Sequence, residues 1–215
     1  KKVLEIGCGR AELVRSFNEL GVEAYGVDVS EYSIKSGLER APFLKGKLFL
    51  CDIDKKRLPF RNNYFDFIIM INTIEHVFSL RRCIEEVKRV LKPGGYVFLV
   101  THIPGSEHDV NDRTHVNVRT KEEWIKLFER HCLYLDKKLE QIVEERTELN
   151  HNNQIEKIKM RLIEKLYIKF KPSSSKEGIA LIKAGKDKER ETRVWNSIFR
   201  DRIVLAFYKC LNRTM

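Results

Sequence analysis

The chain has 215 residues, 42% hydrophobic and 33% charged, enough for one domain with a full-sized core plus some decoration, which excludes an intrinsically disordered polypeptide. Five cysteines, Cys8, Cys51, Cys83, Cys132 and Cys210, are scattered without a CxxC pair; this excludes a disulfide scaffold, speaks against zinc and favours a reducing, cytoplasmic compartment. About two thirds of the +10 formal charge lies after residue 120, which suits either a Lys/Glu-rich solvated surface or contact with nucleic acid, an anionic membrane or an acidic substrate.

Taken in order, the first half alternates short β-branched apolar runs with segments of helical period, the pattern of a mostly parallel sheet covered by helices on both faces. Val3 to Gly7 predicts a first strand, and Leu13, Val14, Phe17 and Leu20 predict a helix stopped at Gly21. A second strand is expected over Glu23 to Val29, with Ser30 capping the next helix, and a third over Leu48 to Ile53. After the polar turn Arg61-Asn62-Asn63, Phe65 to Asn72 is apolar almost throughout, as a strand buried on both faces requires. Leu80, Ile84, Val87 and Leu91 stripe a further helix, which Lys92-Pro93-Gly94-Gly95 is expected to end by turning the chain into a fifth strand, Tyr96 to Thr101.

The stretch from Ile103 to Arg119 is polar and aperiodic, and a loop of that length in a small domain is more often functional than idle. Thr120 to Glu123 forms a capping box for a helix buried through Trp124, Ile125 and Phe128. Cys132 to Val143 supplies a sixth strand and Arg202 to Lys209 a seventh. The expected organisation is therefore a core at 1–145, a basic helical insertion with a flexible loop at 146–198, and a last strand returning to the sheet within 199–215. Ile155, Ile158, Leu162, Leu166 and Phe170 stripe the insertion's helix, which either docks on its own domain or meets a membrane surface or partner. No apolar run approaches the length needed to cross a bilayer. The chain does not open with methionine, which suits one whose natural N-terminal segment has been removed or is not included.

In an open parallel sheet, ligands bind beyond the carboxyl ends of the strands, near the point where strand order reverses. Strand one ends in Glu5-Ile6-Gly7-Cys8-Gly9, a turn that lets backbone approach a ligand closely. Strand two ends at Asp28, placed to accept hydrogen bonds from ribose hydroxyls. Strand three ends at Cys51-Asp52-Ile53, a polar and an apolar contact for a base, and strand four at Asn72-Thr73 with Glu75-His76 behind it. A glycine pair or an aspartate at such a place is, alone, as readily a tight turn or a helix cap.

Together with Leu91-Lys92-Pro93-Gly94-Gly95, these residues resemble the class I S-adenosylmethionine-dependent methyltransferases, in particular the small-molecule branch related to quinone-biosynthesis enzymes, over Val3 to about Cys132. The resemblance implies a Rossmann-like, doubly wound sheet of seven strands, with S-adenosyl-L-methionine as the cofactor. It further implies that Gly7, Cys8 and Gly9 pack under the methionine part, Asp28 holds the ribose, Asp52 the adenine amino group and Ile53 an adenine face, with Asn72 near the methionine moiety and Glu5 and Val29 also among the cofactor-binding residues. Ala11 stands where the motif commonly has a third glycine. A dinucleotide oxidoreductase is the rival of the same topology, but its fingerprint needs glycine where Glu12 stands.

Methyl transfer from a sulfonium is an in-line displacement, so alignment and exclusion of water matter most, and a histidine could take a proton from a hydroxyl acceptor. His76, His102, His108 and His115 lie near the expected edge; His115, in the long loop, is the preferred candidate, and His76 the second. The competing structural reading has His115 bonding its loop and His76 supporting a helix. The acceptor is expected to be a small molecule, lipid precursor or sugar. RNA or protein is the alternative, lowered for base amino groups because Asn72-Thr73-Ile74-Glu75 replaces an Asn/Asp-Pro-Pro-Tyr motif. A non-catalytic cofactor-binding subunit is the third reading. No metal is expected, since no cluster with metal-ligand spacing stands out.

Overall fold

A computed structural model of the chain describes residues 1–102, 104–137 and 202–209, the last segment together with Glu107 and His108 as backbone only. The expected insertion, its helix over 155–170 and the second half of the expected sixth strand, 138–143, lie outside the described residues.

Five parallel strands form one side of the sheet: β1 Lys2–Ile6, β2 Glu23–Asp28, β3 Leu48–Leu50, β4 Phe65–Ile71 and β5 Leu91–His102. Two more follow, β6 Leu133–Leu135 and β7 Arg202–Lys209. Among the described residues the sheet has seven strands in the order β3-β2-β1-β4-β5-β7-β6, and β7 runs antiparallel to both of its neighbours. The chain winds outward from β1 to β3, then returns to β4 on the other flank of β1. The switch point therefore lies between β1 and β4, the place where sheets of this kind bind ligands beyond the carboxyl ends of their strands.

Helices α1 Glu12–Glu19, α2 Glu31–Arg40, α3 Leu80–Val90, α4 Glu107–Asn111 and α5 Lys121–Arg130 flank the sheet. Alternate residues of the central strands, Leu4, Ile6, Ile68, Met70, Val97 and Leu99, join Ile84, Val87, Trp124 and Phe128 in one buried cluster. Ser30 accepts the Ser33 N–H and Thr120 forms the reciprocal box with Glu123, so both expected caps are present. Among the described residues no helix is long and apolar enough to cross a membrane.

Three expectations are corrected. The third strand stops at Leu50, because the Asp52 side chain accepts the Asp54 N–H and its carbonyl those of Lys55 and Lys56, closing a turn. Lys92-Pro93-Gly94-Gly95 is not a turn ahead of the fifth strand but a bulge inside it: Phe65 pairs with Leu91 and Phe67 already with Tyr96. Gly95 is required there, since a Cβ would lie 2.9 Å from the carbonyl oxygens of Asp66 and Lys92. Within the loop expected to be aperiodic, Ser106 caps the short α4, a helix of 5 residues and too brief to leave a period.

The stretch after β3 is held by an ion pair. Glu86 accepts the Leu58 N–H at 2.9 Å and pairs with Arg89 at 2.7 Å, the two side chains being only 10% and 14% exposed. Burial pushes the Glu86 carboxyl up, but Arg89, the Leu58 N–H and Arg57 outweigh it and hold it below the ordinary range. A group lowered in this way stabilises above its unfolded pKa and loses its effect as acid protonates it. Glu86→Ala should therefore cost about 2 kcal/mol in urea denaturation at pH 7, with the difference shrinking towards pH 3.

Candidate active site

The turn after β1 is a cradle of backbone. The Gly7 and Cys8 N–H groups both donate to the Val27 carbonyl, at 2.9 and 3.0 Å, tying the turn to the end of β2. Gly7 and Gly9 adopt φ of +75° and +50°, a region glycine enters without steric cost. A Cβ on Gly9 would meet nothing within 4 Å, so the space above it is open to a ligand. Ala11 sits at φ +62°, which explains why the related motif favours glycine there; alanine holds the position at a cost of roughly 1–2 kcal/mol. The Cys8 side chain is buried and turns towards Gly26, where an added Cβ would stand 2.7 Å from its sulfur. Cys8 thus shapes the turn from beneath.

Asp28, at the end of β2, accepts the Gly9 N–H at 2.7 Å through one oxygen and the Ser30 N–H at 2.8 Å through the other. Its carboxylate is fixed in place before any ligand arrives, with lone pairs left over for hydroxyl donors. Val29 beside it is 67% exposed, and Leu50, the partner of Asp28 across the β2–β3 pair, is 54% exposed. Apolar surface of this kind suits one face of a purine. Ile53 is buried, while Asp52 accepts a 2.9 Å ion pair from Lys55, which holds its carboxyl below the usual range.

Glu5 lies beneath the cradle with one carboxylate oxygen that has no hydrogen-bond partner. Burial and the nearby Asp28 charge push its carboxyl up to about 8, so it is mostly neutral at pH 7. A pKa raised above the unfolded value makes stability fall as pH climbs from about 4.5 to 8. Glu5→Gln should remove that dependence and raise stability by about 3 kcal/mol at pH 7 but by almost nothing at pH 4.5. Thermal melts across that range check it; parallel curves for the two proteins would contradict the assignment.

Beyond β4, Asn72 takes φ +49°, and Thr73 bonds the Ile6 and Ile71 carbonyls through its hydroxyl, packing directly under Gly7. A single 3-10 turn, Ile74–His76, then carries Glu75 and His76. Glu75 is fully buried, its carboxyl pushed up by that burial, and its backbone carbonyl accepts the Val116 and Asn117 N–H groups at 2.9 and 3.0 Å. Those two bonds bring the long loop back against β4, and Asn117 adds a side-chain bond to the Val77 carbonyl. As a result His115 packs edge-on to His76 and tilted against His102, with ring centroids 4.9 and 4.4 Å apart.

The structure therefore brings Glu5, Gly7, Gly9, Asp28 and Val29 to the carboxyl ends of β1 and β2, and packs His115 against His76 and His102, which follow β4 and end β5. The side chain of His108 lies outside the described residues. Sequence reasoning did not single out Leu50, nor Asp109 and Asp112, which approach the two His115 ring nitrogens to 3.5 and 3.6 Å. The polar character of the loop was the one available signal for the aspartates.

Strand order and helix placement together define a Rossmann-like α/β protein. The family model described as "Methyltransferase domain" matches residues 4–99. Over 109 residues the chain is 34% identical to a sterol 24-C-methyltransferase of Gibberella zeae, covering 47% of this chain and 29% of the relative. Over 105 residues it is 33% identical to a ubiquinone/menaquinone biosynthesis C-methyltransferase of Burkholderia vietnamiensis, covering 46% and 42%. The chain thus spans less than half the length of these relatives. A Haemonchus contortus phosphoethanolamine N-methyltransferase solved with S-adenosyl-L-methionine shares the fold, with a TM-score of 0.58, at 19% identity over 98% of this chain and 49% of that one. Residues 4–99 are thus similar in sequence to methyltransferase domains.

Proposed function

We propose that the protein transfers the methyl group of S-adenosyl-L-methionine to a small-molecule acceptor approaching from the side of His76 and His115. The observation that carries this reading is the Asp28 carboxylate, clamped by the Gly9 and Ser30 N–H groups next to open space over Gly9 and the exposed Val29. The residues present fit the cofactor: a purine-facing apolar patch, an anchored carboxylate for ribose, and an unpartnered Glu5 oxygen under the place of an ammonium.

In this reading Asp28 accepts both ribose hydroxyls, Asp52 takes the adenine amino group, and Val29 and Ile53 bound the adenine. Gly7 and Gly9 lie under the methionine part with Asn72 nearby, while Cys8 supports the turn from below. When bound, the cofactor supplies a sulfonium methyl whose carbon–sulfur bond breaks as the bond to the acceptor forms. The chain's part is to align the two partners and keep water away. A neutral imidazole of His115 or His76 would receive the proton of a hydroxyl acceptor. Four of the cysteines, Cys8, Cys51, Cys83 and Cys132, are free thiols, as a cytoplasmic setting would allow.

The basic excess after residue 120 favours RNA or protein as the second reading of the acceptor. Both are tested by incubating the protein with methyl-labelled cofactor and fractionated cell extract. Label is expected in the low-molecular-weight fraction. Label confined to nuclease-sensitive or protease-sensitive material would overturn the small-molecule acceptor, and no transfer to any fraction by a chain that binds the cofactor would overturn catalysis.

A further inference from the structure

Glu75, His76 and His115 each offer one ligand atom, and these atoms all lie within 4.8 Å of one another. Ligands sharing one ion at about 2.1 Å sit roughly 3–4 Å apart, so small side-chain rotations would close the set. We propose that these three residues bind a divalent first-row transition metal ion.

The hydrogen bonding around the cluster leaves ligand positions open. Thr114 spends its hydroxyl proton on Asp112 at 2.6 Å, so its oxygen, 2.9 Å from His76 Nδ1, can only accept. Nδ1 is therefore the protonated nitrogen of His76, further held by the Thr114 carbonyl at 3.3 Å, and Nε2 keeps its lone pair. Orientation of a ligating imidazole through its other nitrogen is what metal sites require of their surroundings. A second, independent observation points the same way. Glu75 is fully buried, and its Oε1 has no hydrogen-bond partner, reaching only to 3.5 Å from His102 Nε2. The His115 ring is 4% exposed, and its Nδ1 likewise has no hydrogen-bond partner, with Asp109 3.5 Å from Nδ1 and Asp112 3.6 Å from Nε2. A buried acceptor left without a donor is destabilising, and a cation would relieve it.

Two imidazoles and one carboxylate are borderline donors, suited to zinc, manganese, iron(II) or cobalt rather than to calcium. Three protein ligands leave positions for water or for an acceptor oxygen. In the methyltransferase reading, on which this use of the ion rests, it would acidify a bound hydroxyl in place of an imidazole base, because His76 and His115 are then ligands. The sequence conceals the site: Glu75-His76 and His115 stand on different elements, joined by the backbone bonds from Val116 and Asn117.

The test uses the full chain stripped with a chelator and titrated with cobalt(II), read by visible absorption. One equivalent is expected to bind with d–d bands of a low-symmetry site, and His76→Ala and His115→Ala should each weaken it at least about 30-fold. His131→Ala, at the end of α5, should not change it. Calorimetry with S-adenosylhomocysteine, run on each variant, separates loss of the metal from loss of the fold or of the cofactor site. If His115→Ala fails to fold, the half-buried His76 still decides the matter. No stoichiometric uptake by a chain that binds S-adenosylhomocysteine, or uptake unchanged in both variants, would overturn the proposal.

Discussion

Asp28→Ala is expected to weaken S-adenosylhomocysteine binding by at least about 100-fold while the chain remains folded. Two hydroxyl bonds to a carboxylate are together worth about 3 kcal/mol, and that is the affinity at stake. The substitution also orphans the Gly9 and Ser30 N–H groups, which now reach Asp28 at 2.7 and 2.8 Å, so the glycine turn loses its lateral anchor. A stability loss of about 1–2 kcal/mol should accompany it, comparable with removal of a helix cap. Asp28→Asn separates the two effects: its amide oxygen can keep one backbone bond, whereas the charge that serves the ribose is gone. The removal of that charge should also bring Glu5 down from about 8, since repulsion from Asp28 is part of what raises it. Calorimetry on both variants checks the order, alanine weakest, asparagine intermediate. Affinity within threefold of the parent in the alanine variant would show that Asp28 faces no ligand.

The second large effect is expected at Gly7. A Cβ there would lie 2.2 Å from Thr73 Oγ1 and 2.6 Å from its Cγ2, on a backbone already at φ +75°. Gly7→Ala therefore combines overpacking with left-handed strain, roughly 3 kcal/mol together, and pushes the cradle away from β4. Urea denaturation should register the loss, and S-adenosylhomocysteine affinity should fall with it. The double variant with Thr73→Ala should recover part of the stability, because two of the three close atoms are removed, while the φ strain remains. Strict additivity of the two substitutions would contradict the contact.

The parts of the fold that could be read in advance were those governed by local chemistry. Phe65 to Ile71 announces a doubly buried strand by its unbroken apolar run, Ser30 and Thr120 announce helix starts by their hydroxyls, and Arg202 to Lys209 reads as a strand by its β-branched content. What stayed hidden depends on pairing across the sheet. The Lys92–Gly95 bulge is decided by the register of β4 against Leu91 and Tyr96, and no property of the four residues alone distinguishes it from a turn. The end of β3 is likewise decided by the Asp52 side chain folding back on its own turn.

The candidate site divides in the same way. Gly7, Gly9 and Asp28 were legible because each stands at a strand end with a chemistry tied to that place. The inward turn of Cys8 was not, since it follows from the room that Gly26 leaves on the neighbouring strand. Glu75 and His76 were visible as a pair, but their meeting with His115 rests on two backbone bonds made by a loop without period.

The account stands on an adenosyl group held between the Gly7 turn and Asp28. The most direct measurement is isothermal titration of the purified chain with S-adenosylhomocysteine, with circular dichroism confirming that the protein is folded. One site is expected, with Kd of about 1–10 µM, that is about −7 to −8 kcal/mol. Absence of saturable heat from the folded protein, or equal displacement of the bound ligand by a nicotinamide dinucleotide, would contradict it.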